Sequence, residues 1–395
     1  MEERETRFFE VFHEVSRAVL SVLSLRDVTH LIAKRIVSAL PVKASALLLL
    51  DEESEEIVLV ASHLLSRGFA SEEPPQGDPG IQEALNGNPF QMKITDSETP
   101  SAYRDALEQE NVGLVLSVPM VRGKKTIGML RLYDEETRGF SADELELVSA
   151  LADIGVVAIE NARLFEEEGA RLSKLLEKGG VDYDYEPRLE KYRVKAVGPS
   201  DIPPEKSYEY FRRLHRLTKV IASQMDMDKV PDVVVDEVTE ALSVKGGSIL
   251  WLNLAMEELE LVAAKGLSSE YLDKGPLQAG RSIPQVLEGK VVFIPVAGLD
   301  SRIQYPQAAE KEGISSILCV PILVKEKVRG VLRVYSSEKA SYNAGEIEFI
   351  KSLAEIGGIA IINGKLYQAR SHDYSFWRAT MEYLGVEESE DASSE

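Results

Sequence analysis

The chain has 395 residues, of which 44% are hydrophobic, and a formal net charge of -21 from 45 basic and 66 acidic residues. A chain of this length fills more than one hydrophobic core, and its average field repels phosphate backbones and anionic lipid headgroups. Binding to nucleic acid or to a membrane surface is therefore not expected, because the longest basic cluster, Arg122-Gly123-Lys124-Lys125, fits a hairpin tip better.

The single cysteine, Cys319, excludes an internal disulfide framework and a thiolate metal cage within one chain. The first residues are charged and lead into an amphipathic segment, so no secretory signal is expected. No run of about 18 uncharged apolar residues predicts a membrane span. We expect a cytoplasmic protein without a metal or another cofactor.

Hydrophobic periodicity predicts the elements of the first half. Helices are expected at 8–23, 27–40, 81–85, 103–110 and 141–176, and strands at 45–51, 57–61, 90–94, 112–121 and 126–133. The stretch 67–80 is rich in Gly, Pro and Ser and is predicted to be a loop. Ser141 and Glu144 form a capping box at the start of the long helix.

The second half repeats the same programme after a linker at 178–204, which is predicted from its Gly and Pro residues and its lack of periodicity. Helices are expected at 206–224, 229–242, 282–288, 305–312 and from 343, and strands at 248–253, 259–264, 291–295 and in the hairpin 315–336. The predicted domains are 8–177 and 205–370. A short aromatic helix and a disordered acidic tail are expected at 371–395.

The two halves are copies of one domain. An offset of 202 residues aligns Gly330-Val331-Leu332-Arg333-Val334-Tyr335 with Gly128-Met129-Leu130-Arg131-Leu132-Tyr133, and it aligns Val320-Pro321 with Val118-Pro119. The function should therefore be sought first in the repeated unit and then in the differences between its copies.

The repeated strand carries two features that need a physical reason. The glycine at its start, Gly128 or Gly330, allows a close approach of another backbone or a bulge. Alternation places the arginine, Arg131 or Arg333, on an otherwise apolar face. Such an arginine is either part of a buried structural ion pair or a group that faces a ligand, and we favour the ion pair.

Three blocks of the second half match a known pattern. They are Asp300-Ser301-Arg302 before Tyr305-Pro306, Glu312 to Ser316 before Val320-Pro321, and Arg329-Gly330-Val331-Leu332 before a closing helix through Leu353 to Gly357. The first half matches with Ser117-Val118-Pro119, Ile127 to Leu130 and Leu151 to Gly155. Each half therefore resembles a GAF domain, the small-molecule sensing module related to the PAS fold.

The resemblance implies an α+β fold with two GAF-like domains. Each would have a five- or six-stranded antiparallel sheet, helices on one face and a ligand pocket on the other. The pocket roofs would be residues 95–112 and 297–314. In the second roof Arg302 replaces Pro100, and an arginine is a ready partner for a carboxylate or phosphate, although a solvated loop arginine is the alternative.

The second pocket is favoured for ligand binding, and no catalytic residue is predicted. The candidate ligand-binding residues are Arg302, Tyr305, Ser316, Trp251, Arg333 and Tyr335. Cyclic-nucleotide-binding members have an Asn-Lys pair after the last strand, and here Asp134-Glu135 and Ser336-Ser337 stand in its place. Binding of cyclic GMP or AMP is therefore not expected. Bilin attachment needs a pocket cysteine, whereas Cys319 lies in a predicted buried strand and reads as an inert thiol.

The long helices predict assembly. Leu151, Ala158 and Phe165 recur at seven-residue spacing, as do Leu353, Ala360 and Tyr367, and Gly155, Gly357 and Gly358 would permit a close approach. We expect a homodimer, with packing against the domain's own sheet as the alternative reading of these positions.

The favoured function is a non-enzymatic sensor of an unknown small molecule that relays binding through its helices to a separate signalling protein. The alternative is a ligand-free dimerisation or scaffold protein whose pockets are filled by its own side chains. A reductase of the GAF type is third, because that chemistry needs a resolving cysteine.

Overall fold

The computed structural model describes residues 2–20, 24–51, 54, 56–70, 78–95, 101–178, 204–223, 229–253, 258–282, 284–324, 327–338 and 341–369. The chain divides into two compact units, Met1–Gly198 with Thr218–Met225 and Pro199–Leu217 with Asp226–Glu395, which hold most of the first and the second half respectively. Most of the predicted linker and the whole predicted segment 371–395 lie outside the described residues. No helix within the described ranges is both long enough and apolar enough to cross a bilayer.

The first domain is a sheet with helices, as predicted. Its helices are α1 (Glu2–Leu20), α2 (Leu25–Ala39), α3 (Arg67–Ala70), α4 (Pro79–Leu85), α5 (Ser101–Gln109) and α6 (Ala142–Lys178). Its strands are β1 (Ala44–Leu50), β2 (Ile57–His63), β3 (Phe90–Lys93), β4 (Leu114–Arg122) and β5 (Lys125–Asp134). The described strands pair antiparallel in the order β2-β1-β5-β4-β3.

The second domain repeats this plan. Its helices are α7 (Pro204–Ala222), α8 (Val230–Leu242), α9 (Ser269–Leu272), α10 (Ala279–Ser282), α11 (Pro284–Leu287), α12 (Pro306–Lys311) and α13 (Ala344–Ala369). Its strands are β6 (Gly246–Asn253), β7 (Glu258–Lys265), β8 (Leu277–Gln278), β9 (Val292–Ile294), β10 (Ser316–Val324) and β11 (Lys327–Ser336). The described strands form an antiparallel sheet in the order β8-β7-β6-β11-β10-β9, so the predicted five- or six-stranded sheets are confirmed.

The longer helices cover one face of each sheet. In the first domain α2 and α6 pack on β1, β2 and β4, and in the second α8 and α13 pack on β6, β7 and β10. The short helices α3 to α5 and α9 to α12 contribute apolar side chains to the other face. Because both faces are covered, strands such as β1 and β4 read as continuous apolar runs.

The starts of the two closing helices show how sequence fixes local structure. The Glu144 amide donates to Ser141 Oγ at 3.3 Å, and the Ser141 amide donates to Glu144 Oε2 at 2.9 Å, which confirms the predicted capping box. Asn343 and Glu346 make the same two bonds in the second copy, at 2.8 and 3.0 Å.

The seven-residue pattern of the closing helices is used within each domain. Leu151, Ala158, Leu353 and Ala360 are fully buried in the single chain, whereas the side chains of Phe165 and Tyr367 lie outside the described set. A Cβ on Gly155 would lie 2.9 Å from Met120 Cε, and one on Gly358 would lie 2.4 Å from Ile322 Cγ2. These small residues bring α6 and α13 onto their own sheets, which corrects their reading as an approach for a second chain.

The short elements differ from the sequence prediction. The predicted loop 67–80 contains α3, whose first turn is capped by Ser66 Oγ accepting from the Phe69 amide at 3.2 Å, and it ends with the start of α4. The helix predicted at 282–288 corresponds to two described helical stretches, α10 (Ala279–Ser282) and α11 (Pro284–Leu287), on either side of residue 283, which lies outside the described residues. Elements as short as α9 and β8 span too few residues to show periodicity.

Gly330 is held in a close backbone crossing. The pairing of β10 with β11 slips between Ile322 and Leu323, so Arg329 is the extra residue of a bulge just before Gly330. A Cβ on Gly330 would lie 2.6 Å from the Leu250 carbonyl oxygen and 3.3 Å from Trp251 Cε3. Both predicted reasons for this glycine, a close approach and a bulge, are therefore present.

We expect Gly330→Ala to lower the unfolding free energy of the second domain by about 1–3 kcal/mol, because a backbone oxygen cannot move away without disturbing the sheet. Gly298→Ala is the control, since nothing lies within 4 Å of its Cβ position, and it should change stability by less than about 0.5 kcal/mol. Denaturant unfolding followed by tryptophan fluorescence measures both. Equal effects of the two substitutions would contradict the crossing.

Candidate ligand-binding face of the second domain

The side chains of the second sheet divide cleanly between its two faces. Antiparallel register pairs Cys319 with Arg333 and Arg333 with Ser248, so these side chains share a face. The same face carries Leu250, Ile317, Val331 and Tyr335, which belong to one buried cluster with side chains from α9 to α12. The face opposite the long helices is therefore the predicted ligand face, and residues 297–314 cover part of it.

Arg333 lies at the centre of this face. Its side chain is only 3% exposed, and its Nη2 donates to Ser282 Oγ at 2.8 Å. Among the described residues no carboxylate pairs with Arg333, and its buried Nε, like that of the equivalent Arg131, has no hydrogen-bond partner. Burial opposes the charged form of Arg333, but Cys319, Tyr335 and Tyr271 outweigh it and raise its pKa. What the buried charge lacks among the described residues is a carboxylate counter-ion, and a buried cation without one is costly.

Two tyrosines complete the surroundings of Arg333. The Tyr335 hydroxyl shares a 2.9 Å hydrogen bond with Ser248 Oγ, and the Tyr271 ring stands edge-on to the Tyr335 ring with centroids 5.9 Å apart. Burial raises the pKa of both phenols, so they remain neutral at physiological pH. The two rings give the face polar edges and apolar surface without supplying a negative charge.

A second cation, Lys274, lies at the edge of this group. Its Nζ is 3.8 Å from the centre of the Tyr271 ring and donates to the Tyr271 carbonyl oxygen at 2.9 Å. Burial and the positive charge of Arg333 lower the pKa of Lys274 to about 8, although Glu312 acts in the opposite direction. The sequence reasoning missed Lys274, whose only signal is that it stands where the first copy has Glu72.

Cys319 faces Arg333 from the neighbouring strand. The thiol is buried, and burial raises its pKa although the Arg333 charge opposes that change. A raised pKa leaves little thiolate at neutral pH, which agrees with the interpretation of Cys319 as an inert thiol.

The roof residues Arg302 and Tyr305 are engaged with their own loops. The Arg302 guanidinium forms an ion pair with Asp300, with an Nη2 to Oδ2 distance of 2.5 Å, and it is about one third exposed. This pairing raises the pKa of Arg302 further. The Tyr305 hydroxyl donates to the Pro276 carbonyl oxygen at 2.9 Å while its ring packs on the edge of the buried cluster.

Two of the six candidate residues lie on the opposite face, which corrects their assignment. Trp251 alternates with Leu250 and faces α13, where Lys365 Nζ lies 4.9 Å from its ring. Ser316 alternates with Ile317, and its Oγ donates to the Glu338 carbonyl oxygen at 3.1 Å. Both strands are apolar on both faces, so their composition alone does not reveal which residues point toward the roof.

The equivalent arginine of the first domain is paired internally. Arg131 Nη2 donates to Asp78 Oδ2 at 2.8 Å, and both side chains are essentially inaccessible to solvent. The rings of Tyr103 and Tyr133 flank the guanidinium at 5.8 and 5.9 Å. Burial opposes the charged form of Arg131, but these neighbours outweigh it and raise its pKa.

The first domain also closes this face with its own rings. Phe69 stacks on Tyr103 at 6.1 Å and stands edge-on to Tyr133 at 5.6 Å. The two copies therefore differ in the predicted alternatives for the repeated arginine, an ion pair or a ligand-facing group. The first copy has the ion pair, and the second copy lacks it among the described residues.

The fold defines a class: a duplicated α+β domain in which short helices cover the sheet face opposite the long helices. The family model for the GAF domain matches this chain twice, at residues 22–160 and 224–362. These matches cover more than half of the chain, and the protein therefore belongs to the GAF-domain family.

Individual relatives are distant. The formate hydrogenlyase transcriptional activator of Salmonella typhimurium is 21% identical over 173 residues, which are 42% of this chain and 25% of that protein. The chain thus spans about a quarter of this relative. The GAF domain of a phosphoenolpyruvate-protein phosphotransferase from Coxiella burnetii is 20% identical and covers 42% of this chain and 96% of its own, with a TM-score of 0.36.

Another solved structure is the free methionine-R-sulfoxide reductase of Neisseria meningitidis in complex with its substrate. It is 16% identical and covers 46% of this chain and 96% of its own, with a TM-score of 0.35.

We expect Asp78→Asn to destabilise the first domain by about 3–5 kcal/mol, because it leaves the buried Arg131 charge without its counter-ion while Asn still caps α4. Hydrogen exchange of the β5 amides reports on this domain. Glu14→Gln is the control, since Glu14 pairs with Arg35 at a partly exposed position and should contribute about 0–1 kcal/mol. Similar losses in the two variants would show that the buried pair has no special role.

The position of Lys274 predicts a pH dependence. Its pKa is about 8 in the folded state and 10.5 ordinarily, so the unfolded chain binds the extra proton between these values and the unfolding free energy rises with pH across that window. Lys274→Met removes this dependence. The difference in melting temperature between the variant and the wild type should therefore favour the variant more at pH 7 than at pH 10, and a difference that is constant with pH would contradict it.

Proposed function

We propose that this protein is a non-enzymatic regulatory protein of the cytoplasm in which the second GAF domain senses a small molecule and signals through its helices to a separate protein. The two family matches place it among GAF domains, and the distant curated relative is a transcriptional activator. The proposal assigns different roles to the two copies, with the second as the sensing copy.

One observation carries this proposal: the repeated arginine pairs with a carboxylate in the first domain, whereas in the second no carboxylate among the described residues pairs with it. Arg131 has Asp78, whereas Arg333 has the neutral Ser282 hydroxyl. A buried cationic face covered by short helices is a suitable place for a ligand, because the ligand can supply the negative charge that the described residues of this face do not.

The connection between the sheet and the helices supports a relay. β11 carries Arg333 and leads into α13, which packs on β10 through the contact of Gly358 with Ile322. Gly357 of the same helix lies against Val234 of α8, where an added Cβ would be 2.7 Å from Val234 Cγ2. A ligand that shifts the roof or the strands would bias the packing of these helices, which is a population shift available to a partner protein.

The proposal includes a homodimer, although the described heptad positions of α6 and α13 are buried within their own domains. An interface therefore has to use other surfaces than the predicted seam. We do not propose a reductase, since Cys319 is the only cysteine of the chain, is buried and faces an arginine rather than a second thiol. A ligand-free scaffold remains the competing function.

A thermal-shift screen of the full chain with nucleotides, amino acids, sugars and carboxylates tests the sensor function. We expect at least one compound to raise the melting temperature in a saturable way, since a ligand that binds only the folded state stabilises it by mass action. The response should weaken in Tyr335→Phe, which alters the ligand face. No saturable response to any class would favour the scaffold.

The matched control for this substitution is Tyr342→Phe. Tyr342 also shares a 2.9 Å hydrogen bond with a serine, Ser336. Ser336 follows Tyr335 along β11 and therefore lies on the opposite face of the sheet. Each variant loses one hydroxyl bond, worth about 0.5–1.5 kcal/mol, so their stabilities should be similar while only Tyr335→Phe changes the ligand response. Equal ligand responses in the two variants would remove the site from this face.

A further inference from the structure

The two copies differ in charge at one particular segment. At the 202-residue offset, Glu72 and Asp78 of the first copy correspond to Lys274 and Gly280 of the second. Contacts that flank this segment are the same in both copies: Ser66 and Ser268 each cap a short helix, and their amides donate to the carboxylates of Glu110 and Glu312. The exchange of acids for a lysine and a glycine is therefore a substitution at equivalent positions.

The exchange acts on the buried arginine. In the first domain the Asp78 carboxylate receives Arg131 Nη2 at 2.8 Å. In the second domain the same guanidinium nitrogen of Arg333 reaches Ser282, the equivalent of Gly80, so a neutral hydroxyl stands in for a carboxylate. The contacts of the roof tyrosine also differ between the copies. Tyr103 lies over Arg131, whereas the equivalent Tyr305 bonds to Pro276.

The acid that raises the pKa of Lys274, Glu312, is already engaged. Glu312 accepts from the Ser268 amide and hydroxyl and pairs with Lys245 at 3.5 Å. Its first-copy equivalent, Glu110, accepts from the Ser66 amide, so this glutamate has a structural task in both domains. Among the described residues, Arg333 and Lys274 thus form a pair of cations beside Tyr271 that no carboxylate of this face neutralises.

The position equivalent to Asp78 is open. Gly280 is exposed, and no atom lies within 4 Å of the place where its Cβ would be. Lys274 is itself partly exposed, so the edge of the face near α10 is accessible from solvent. A small anion can therefore approach from the side on which the first domain carries its own acid.

We propose that the second domain binds a small carboxylate between Arg333 and Lys274, as an external counterpart of the internal Asp78 carboxylate of the first domain. This inference rests on the proposed sensor function and names its ligand class. The first domain, whose arginine is already neutralised, does not take such a ligand.

The surroundings favour a carboxylate over other anions. The equivalent arginine holds a carboxylate in the first domain, so an arginine at this position of the repeat is able to pair with that group. Arginine presents a planar pair of donors that matches carboxylate geometry, and Lys274 adds a point charge. Buried apolar side chains such as Val331 and Leu277 suit the hydrocarbon part of a short-chain acid rather than a fully hydrated phosphate.

The test uses the full chain with acetate, which is the side chain of aspartate without its backbone, and with acetamide as its neutral isostere. Sodium chloride keeps the ionic strength constant. We expect acetate to raise the melting temperature in a saturable manner and acetamide to have no such effect. Lys274→Gln should weaken acetate binding at least fivefold, and Arg333→Lys should weaken it further. Lys290→Gln, an equivalent loss of charge at an exposed site, should leave binding unchanged.

Each contrary result has a distinct meaning. Acetate that acts no more strongly than chloride, or binding that is equal in Lys274→Gln and wild type, would overturn the carboxylate site. Tighter saturable binding of inorganic phosphate than of any carboxylate tested would overturn the ligand class. If a neutral metabolite stabilises the protein while anions do not, this inference fails and the sensor function survives; if no compound of either kind binds, both fail.

Discussion

A buried arginine on the last strand of each sheet is the constraint around which the free face of each domain is arranged. A guanidinium removed from water must find an opposite charge, and its absence costs several kcal/mol in the folded state. The first domain meets this requirement with Asp78 and with the rings of Tyr103 and Tyr133. The second domain keeps the arginine and gives it hydroxyl groups.

The counter-ion also determines local structure. Asp78 accepts from Arg131 through one oxygen and from the Ile81 amide through the other, at 2.8 and 3.1 Å, so the same side chain neutralises the sheet and caps α4. At the equivalent place the second copy has Gly280, which has no side chain to serve as a counter-ion or a cap. The change from Asp78 to Gly280 therefore removes the charge and the cap together.

Much of this fold follows from the sequence because its signals are local and repeated. The alternation that placed Arg131 and Tyr133 on one face, the capping box at Ser141, and the bulge at Gly330 each need only a few adjacent residues. The site is harder to predict. Trp251 and Ser316 lie in strands that are apolar on both faces, so their direction depends on pairing with distant strands.

Lys274 illustrates the opposite difficulty, because it lies outside regular periodicity and reaches the site only through the fold of the segment between α9 and β8. The useful signal is the difference between the copies, in which an acid becomes a lysine while the flanking serine and glutamate contacts stay the same. Such a comparison locates a change of charge without any knowledge of the loop conformation.

The first copy also serves as an internal reference for the free-energy cost of burying the Arg333 charge. A hydrophobic residue of similar volume is often at least as stabilising as a buried charge, so an arginine without a counter-ion is not the choice that stability alone would favour. The second domain retains that charge and adds Lys274 beside it. Binding sites commonly lower the stability of the unliganded protein in this way. A ligand that forms the missing charge pair then stabilises the folded state by binding to it.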